Sequence, residues 1–434
     1  MRSLLIGFLA TFAVALPVAY LLTRDDGRPA STANPNLPHA PRPSDSTDVR
    51  IAKLQATVRA APLRADGYTL LAGAYLQKVR ETGDAGYYER AGVAVDRALS
   101  LAPRDPAALT QRSAVELARH DFRAGLADAL RARALAPAIN KPYGVLVDAL
   151  VELGRYKQAG QALQEMVDRR PDLAAYARVS YFRELHGDLD GAVRAMQLAV
   201  SAGGEVPENE AYVRTLLGNL ELQRGRIGAA ARDFRAALSS VTGYVPAQAG
   251  LAKVDIAHGR PDRAIVRLRG AVARLPLPEY VVALAEAERV AGRTTAARRD
   301  VALVRAEEQL LSRSGVNTDT EAALFEADHG SPARAVALAR RAWAAAPSVR
   351  SADALGWALT RAGRPREALP WAARALHLGS RDPAFLLHAG MAARAAGKPS
   401  LAWRRLALAR AGRAVLPAMT QRSLTAALAG EAAR

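Results

Sequence analysis

An all-α solenoid of stacked helix-turn-helix units is the fold class predicted here, and three observations predict it. Pro103, Pro137 and Pro171 stand 34 residues apart, each closing a helical segment; a fixed period of this length marks a two-helix repeat. Between the prolines, apolar residues recur at three- and four-residue spacing and single glycines separate the helices. Alanine, leucine and arginine dominate while aromatic residues make up only 5%, which suits helices that approach closely through small side chains. A chain of 434 residues would otherwise suggest two or three domains. A solenoid escapes that expectation because each repeat buries its apolar face against its neighbours alone. Cysteine is absent, so disulfides and cysteine-ligated metal sites are excluded.

In chain order, residues 1–23 come first as a signal anchor or transmembrane helix. Leu4 to Leu22 is a nearly unbroken apolar run preceded only by Met1, Arg2 and Ser3, long enough to span a bilayer core. The alternative is a cleaved signal peptide: Ala13-Val14-Ala15 offers a small-x-small site, but it leaves a short apolar segment before it. The short leader before the run places the body of the chain outside the cytoplasm, tethered to the cell membrane, or secreted if the leader is cleaved. Residues 24–47, rich in proline and small polar residues, read as a flexible linker.

The next elements are an N-terminal capping half-repeat at 48–64, a repeat array at 65–412 and a C-terminal capping helix at 413–434. Within the array, Leu217 and Gly218 form a leucine-small pair, Gly225 makes a turn, and Ala230, Phe234 and Ala237 follow on the second helix. Tyr143, Leu146, Gly154, Ala159, Leu163, Met166 and Pro171 repeat the pattern, as do Leu355, Gly356, Gly363, Ala368, Ala372 and Ala375. In these residues the chain resembles the tetratricopeptide repeat family, with about ten repeats by that alignment. Turn glycines are expected at Gly154, Gly187, Gly225, Gly259, Gly292, Gly330, Gly363 and Gly397, each supplying the left-handed conformation that ends a helix. Residues 79–87 are expected to lengthen the first turn, and residues 305–318 the second helix and linker of the seventh repeat. The resemblance implies a right-handed superhelix whose first helices line a concave groove.

Chemistry is scarce. There is no phosphate-binding loop, no HExxH and no GxSxG, so no enzyme activity, cofactor or small-molecule substrate is expected. His120, His186, His258 and His329 recur beside the turn position but in non-adjacent repeats. Packed helices lie about 8–10 Å apart, so these side chains cannot share a metal ion. They are expected to meet the free carbonyls at helix ends. The formal charge of +18 comes mostly from arginine. Arginine and glutamate alternate along most helices and no basic run is interleaved with aromatics, which argues against specific nucleic-acid binding.

The groove remains. Carried over from the family, the groove-facing positions include Tyr181, Tyr212, Thr215, Asn219, Gln223 and Lys253, a patch of rings and amides across consecutive repeats. Such a patch suits an extended peptide, whose backbone pairs with amides while rings bury its side chains. The resemblance therefore implies a non-enzymatic, membrane-tethered scaffold or adaptor binding protein or peptide partners. The second reading is an exported basic array that binds an anionic polymer or lipid surface.

Overall fold

The computed structural model describes residues 45–203 and 206–432. The anchor at 1–23 and nearly all of the linker at 24–47 lie outside the described residues. Among those described there are 22 α-helices and no strand, and no helix is long and apolar enough to cross a membrane.

Helices succeed one another as antiparallel pairs. They are α1 (Thr47–Ala60), α2 (Ala65–Thr82), α3 (Gly86–Leu101), α4 (Pro106–Ala118), α5 (Phe122–Leu135), α6 (Lys141–Glu152) and α7 (Tyr156–Arg169). Then come α8 (Leu173–Leu185), α9 (Leu189–Ser201), α10 (Pro207–Gln223), α11 (Ile227–Ser240), α12 (Val245–Ala257), α13 (Pro261–Arg274), α14 (Pro278–Val290) and α15 (Thr294–Arg313). The last are α16 (Asp319–His329), α17 (Pro332–Ala345), α18 (Val349–Arg361), α19 (Pro365–Ala375), α20 (Pro383–Ala395), α21 (Pro399–Ala411) and α22 (Ala418–Ala432), with a 3-10 turn at Arg413–Val415. From α2 onward the even-numbered helices open the repeats and the odd-numbered ones close them, until α22.

Local chemistry sets the boundaries. Ser46, Asp105, Asp121, Asp188, Ser331, Ser348 and Asp382 accept a backbone N–H of the first turn that follows them, which satisfies donors that a helix start leaves free. Proline occupies the first turn of many helices, α13, α17 and α21 among them, where its missing N–H costs nothing. Gly154, Gly187, Gly225, Gly259, Gly292, Gly363 and Gly397 all take the left-handed conformation at the turn. Gly330 does not: its φ is −134°, and Ser331 N–H donates to the Glu326 carboxylate instead. In the second repeat His120 takes the left-handed place, at φ 61°.

Of the two lengthened regions, the first differs from expectation. Residues 79–82 do not enlarge a turn; they continue α2 to Thr82, and left-handed Gly83 stops it. Lys78, paired with Asp48, lies near Glu81 one turn on, so the insertion is absorbed as extra helix. The second is as expected: residues 305–313 extend α15, the second helix of its repeat, and residues 314–318 form the linker to α16.

The chain divides into two compact units, with boundaries inside α8 and α15. In the unit of residues 45–175 and 309–317, α1 packs on α2, and each later helix as far as α7 packs on its predecessor. Asn317 N–H donates to the Arg119 carbonyl at 2.9 Å, and His120 Nδ1 lies 2.7 Å from the Asn317 carbonyl oxygen. Here a left-handed histidine pins a distant segment.

In the unit of residues 176–308 and 318–432, the alanine pairs Ala230/Ala237, Ala264/Ala271, Ala335/Ala342, Ala368/Ala375 and Ala402/Ala409 are all buried, seven residues apart on second helices. Phe234 fills the gap where α10 and α12 offer no side chain: a Cβ at Gly218 or Gly250 would come within 2.6 or 2.4 Å of its ring. Residues far apart in sequence also meet. A Cβ at Gly187 would lie 2.2 Å from the Gly379 carbonyl oxygen, and one at Gly225 2.7 Å from that of Ala411. Gly259 faces open space. Gly259→Ala is therefore expected to cost only the left-handed penalty of about 1–2 kcal/mol. Gly187→Ala must also displace a backbone carbonyl. Hydrogen exchange at residues 186–189 and 377–381 should accelerate in that variant alone; equal costs in denaturant would refute the contact.

Candidate peptide-binding groove

Successive first helices touch one another, α10 with α12, α16 with α18 and α18 with α20, so their shared side is the inner one within this unit. The residues expected to face a groove lie on α8, α10 and α12. Tyr181, Tyr212, Asn219, Gln223 and Lys253 are all half-buried. Thr215 is buried, and its hydroxyl donates to the Ala211 carbonyl at 2.7 Å. It closes its own helix and offers no donor outward.

Gln223 links two repeats: its Nε2 donates to Glu184 Oε1, while its own Oε1 is buried without a hydrogen-bond partner. Burial pushes the Glu184 carboxyl up to about 7. Lys253 forms no hydrogen bond or ion pair among the described residues. Burial draws its ammonium below the usual range, against the pull of Glu279 and Asp382. Burial also raises Glu279 to about 8.

The trough is not open along its whole length. The 3-10 turn at Arg413–Val415 packs against α10 and α12, and a Cβ at Gly412 would meet the Gln223 carbonyl oxygen at 2.7 Å. Val415, Leu416, Leu424 and Ala427 join one apolar cluster with Leu222, Phe234, Leu251 and Val254. Helix α22 packs on α21 and also on α14, where Glu286 Oε2 accepts from Met419 N–H at 3.1 Å and Arg422 donates to the Val290 carbonyl. The chain's own C-terminal residues thus roof the Gln223 end of the patch.

A buried polar network joins α16, α18 and α20. Trp357 Nε1 donates to both carboxylate oxygens of Asp328 at 3.1 Å, and its ring stacks on His388 at 4.3 Å. His388 Nδ1 pairs with Asp353 at 2.8 Å. Burial lifts Asp328 to about 7, although Arg361, His388 and the Trp357 N–H oppose the rise. Asp353 and His388 lie 35 residues apart, close to one repeat, and that spacing was the available signal.

The turn histidines behave differently from one another. His186 Nδ1 lies 2.8 Å from the Phe182 carbonyl oxygen, as expected of a helix end. His258 meets Arg260 instead. His329 is buried with its Nε2 3.6 Å from Glu286 Oε1, and burial pushes its pKa down to about 3. No cluster of three or more metal-ligating side chains occurs among the described residues.

Comparison with known proteins agrees with the repeat geometry. Residues 221–288 match a family model described as tetratricopeptide repeat. No curated protein matches the chain. Among solved structures it is similar to TTC0263, a thermophilic tetratricopeptide repeat protein of Thermus thermophilus, at 23% identity over 39% of this chain and 91% of that one, with a TM-score of 0.36. It is also similar to the human IFIT1 dimer with m7Gppp-AAAA, at 14% identity over 77% of each chain and a TM-score of 0.49. A third likeness is to PilW, a widely conserved type IV pilus biogenesis factor, at 15% identity over 46% of this chain and 92% of that one, TM-score 0.40. Over residues 221–288 the chain is thus similar to the tetratricopeptide repeat family, and glycines at Gly225 and Gly259 take the left-handed conformation at the turns within that stretch.

Proposed function

We propose that this chain is a non-enzymatic scaffold, tethered to a membrane by its N-terminal apolar run with the repeats outside the cytoplasm, that binds an extended peptide of a protein partner along α8, α10 and α12. One observation carries the reading: the Lys253 ammonium on α12, away from the roofed Gln223 end, lacks a hydrogen-bond partner among the described residues. Unmet polar groups in an enclosed place are costly to the free protein. A carbonyl or carboxylate oxygen of the peptide supplies what Lys253 lacks. Tyr181, Tyr212 and Asn219 then supply ring surface and a further amide. Thr215 supports the floor of the site and does not touch the ligand.

The test is capture of partners by the intact, tethered chain carrying Tyr212→Ala and Asn219→Ala together. Truncating a central aromatic contact costs about 2 kcal/mol or more, so capture should fall at least tenfold and should withstand high salt in the wild type. Unchanged capture by the double variant would end the groove assignment.

A further inference from the structure

The outer side of the C-terminal repeats carries a basic, aromatic surface that neither the repeat register nor the groove uses. First helices touch one another in this unit, whereas the second helices make no comparable backbone contact among themselves, so α17, α19 and α21 fan out on the outer side. Helices α17 and α21 each contain three arginines and no acidic residue. The first helix α16 is the opposite, with Asp319, Glu321, Glu326 and Asp328 and no lysine or arginine. Some outer arginines spend their charge inward, as Arg341 does on Asp319. Others do not: Arg366, Arg404 and Arg410 are exposed and form no hydrogen bond or ion pair among the described residues.

Aromatic residues gather on the same helices. The chain has only four tryptophans, and Trp343, Trp371 and Trp403 fall on α17, α19 and α21 in turn. Trp343 and Trp371 meet edge to face at 5.0 Å, and the Arg374 guanidinium lies over both rings at 5.2 and 5.0 Å. Trp403 is 50% exposed and Leu408, one turn beyond Arg404, is 48% exposed.

Unpaired guanidinium groups interleaved with half-exposed rings and aliphatic side chains match the headgroup layer of a bilayer. There the charges meet phosphate, while tryptophan and leucine enter the interfacial zone. A nucleic acid would satisfy the arginines but leave Leu408 with nothing apolar to enter. We propose that the outer face of α17, α19 and α21 docks on a bilayer surface rich in anionic phospholipid. This surface is separate from the groove, and its docking needs no peptide there.

The absence of native cysteine makes the test direct. The full chain with Leu408→Cys carries an environment-sensitive dye and is mixed with vesicles of phosphatidylcholine alone or with added phosphatidylglycerol. A blue shift is expected only with the anionic vesicles and should vanish at high salt. Each arginine near such a surface strengthens partitioning about fivefold, so Arg366→Gln, Arg404→Gln and Arg410→Gln together should weaken it about a hundredfold. Because these side chains are exposed and unpaired, the triple variant should keep its fold, which circular dichroism checks. A dye at Val93→Cys, on charge-balanced α3, should not shift. The proposal is overturned if the shift is equal in both vesicle types, survives the triple variant, or is reproduced by single-stranded DNA without lipid. Association of the chain with anionic vesicles but no shift at residue 408 would also overturn it, since the N-terminal run would then be acting alone.

Discussion

Trp357→Ala is expected to destabilise the C-terminal repeats by about 3–5 kcal/mol, the usual cost of emptying a buried tryptophan site. Trp357 is 1% exposed, and the loss has two separable parts. One is the volume of a ring that stacks on His388 and lies beneath the Arg361 guanidinium. The other is the indole N–H that reaches the buried Asp328 carboxylate, which would be left short of a donor at about 1–3 kcal/mol. Trp357→Phe isolates the second part, since it keeps most of the stacked ring and removes the donor. Repeat arrays open locally and need not unfold in one step. The measurement is therefore hydrogen exchange across α16, α18 and α20 alongside denaturant unfolding followed by circular dichroism. Protection should fall in those helices first. If Trp357→Phe costs as much as Trp357→Ala, the hydrogen bond carries the whole effect; if it costs nothing, the bond to Asp328 is not part of what holds the repeats together.

The repeat scaffold was legible because short-range rules write it. Left-handed glycines at the turns, alanine pairs seven residues apart and prolines beside helix ends act within one or two turns of helix, so each repeat restates them. Gly330 shows how far such a rule reaches: its register predicts a left-handed glycine, yet the Glu326 carboxylate takes over the turn. The site was less legible, for two reasons. Facing inward is decided by packing as well as register: Thr215, at a position expected to face a groove, spends its hydroxyl on Ala211. The contacts that roof the patch join residues nearly 190 positions apart, as between Gly225 and Ala411. Which repeats meet depends on a small rotation summed over many repeats, and no local pattern encodes that sum. The Asp353–His388 pair stands between these cases, since polar residues about one period apart on first helices can bridge neighbouring repeats.

Stability should rise as pH falls from 8.5 to 6.5, and this follows from where burial has placed the carboxyl groups. Burial raises Glu184, Glu307, Glu308 and Asp328 to about 7 and Glu279 to about 8. The unfolded chain loses these protons near pH 4, whereas the folded chain holds them until pH 7–8. Each group therefore weakens folding as pH climbs from its unfolded pKa to its folded one, and the cost is complete above the latter. His388, raised by its Asp353 partner against the opposing effect of burial, acts in the same direction: its contribution is fully present below the unfolded value and is lost as pH rises through the folded one. His329 acts oppositely, refusing a proton that the unfolded chain accepts, but its window runs from about 6.5 down to about 3 and lies below the measured range. Lys253, drawn down by burial, also opposes the trend, and only as pH approaches its own lowered pKa from below. A carboxyl titrating inside the window contributes about 1.4 kcal/mol per pH unit at most, so the groups together should shift stability by roughly 2–4 kcal/mol. Glu279→Gln with Asp328→Asn should flatten the profile and raise stability at pH 8.5 more than at pH 6.5, because an amide carries no charge to desolvate. Denaturant midpoints at the two pH values decide the matter. A wild-type midpoint that is equal at both, or higher at pH 8.5, would mean that these carboxyl groups are solvated in the folded chain and that its inner side is open to water.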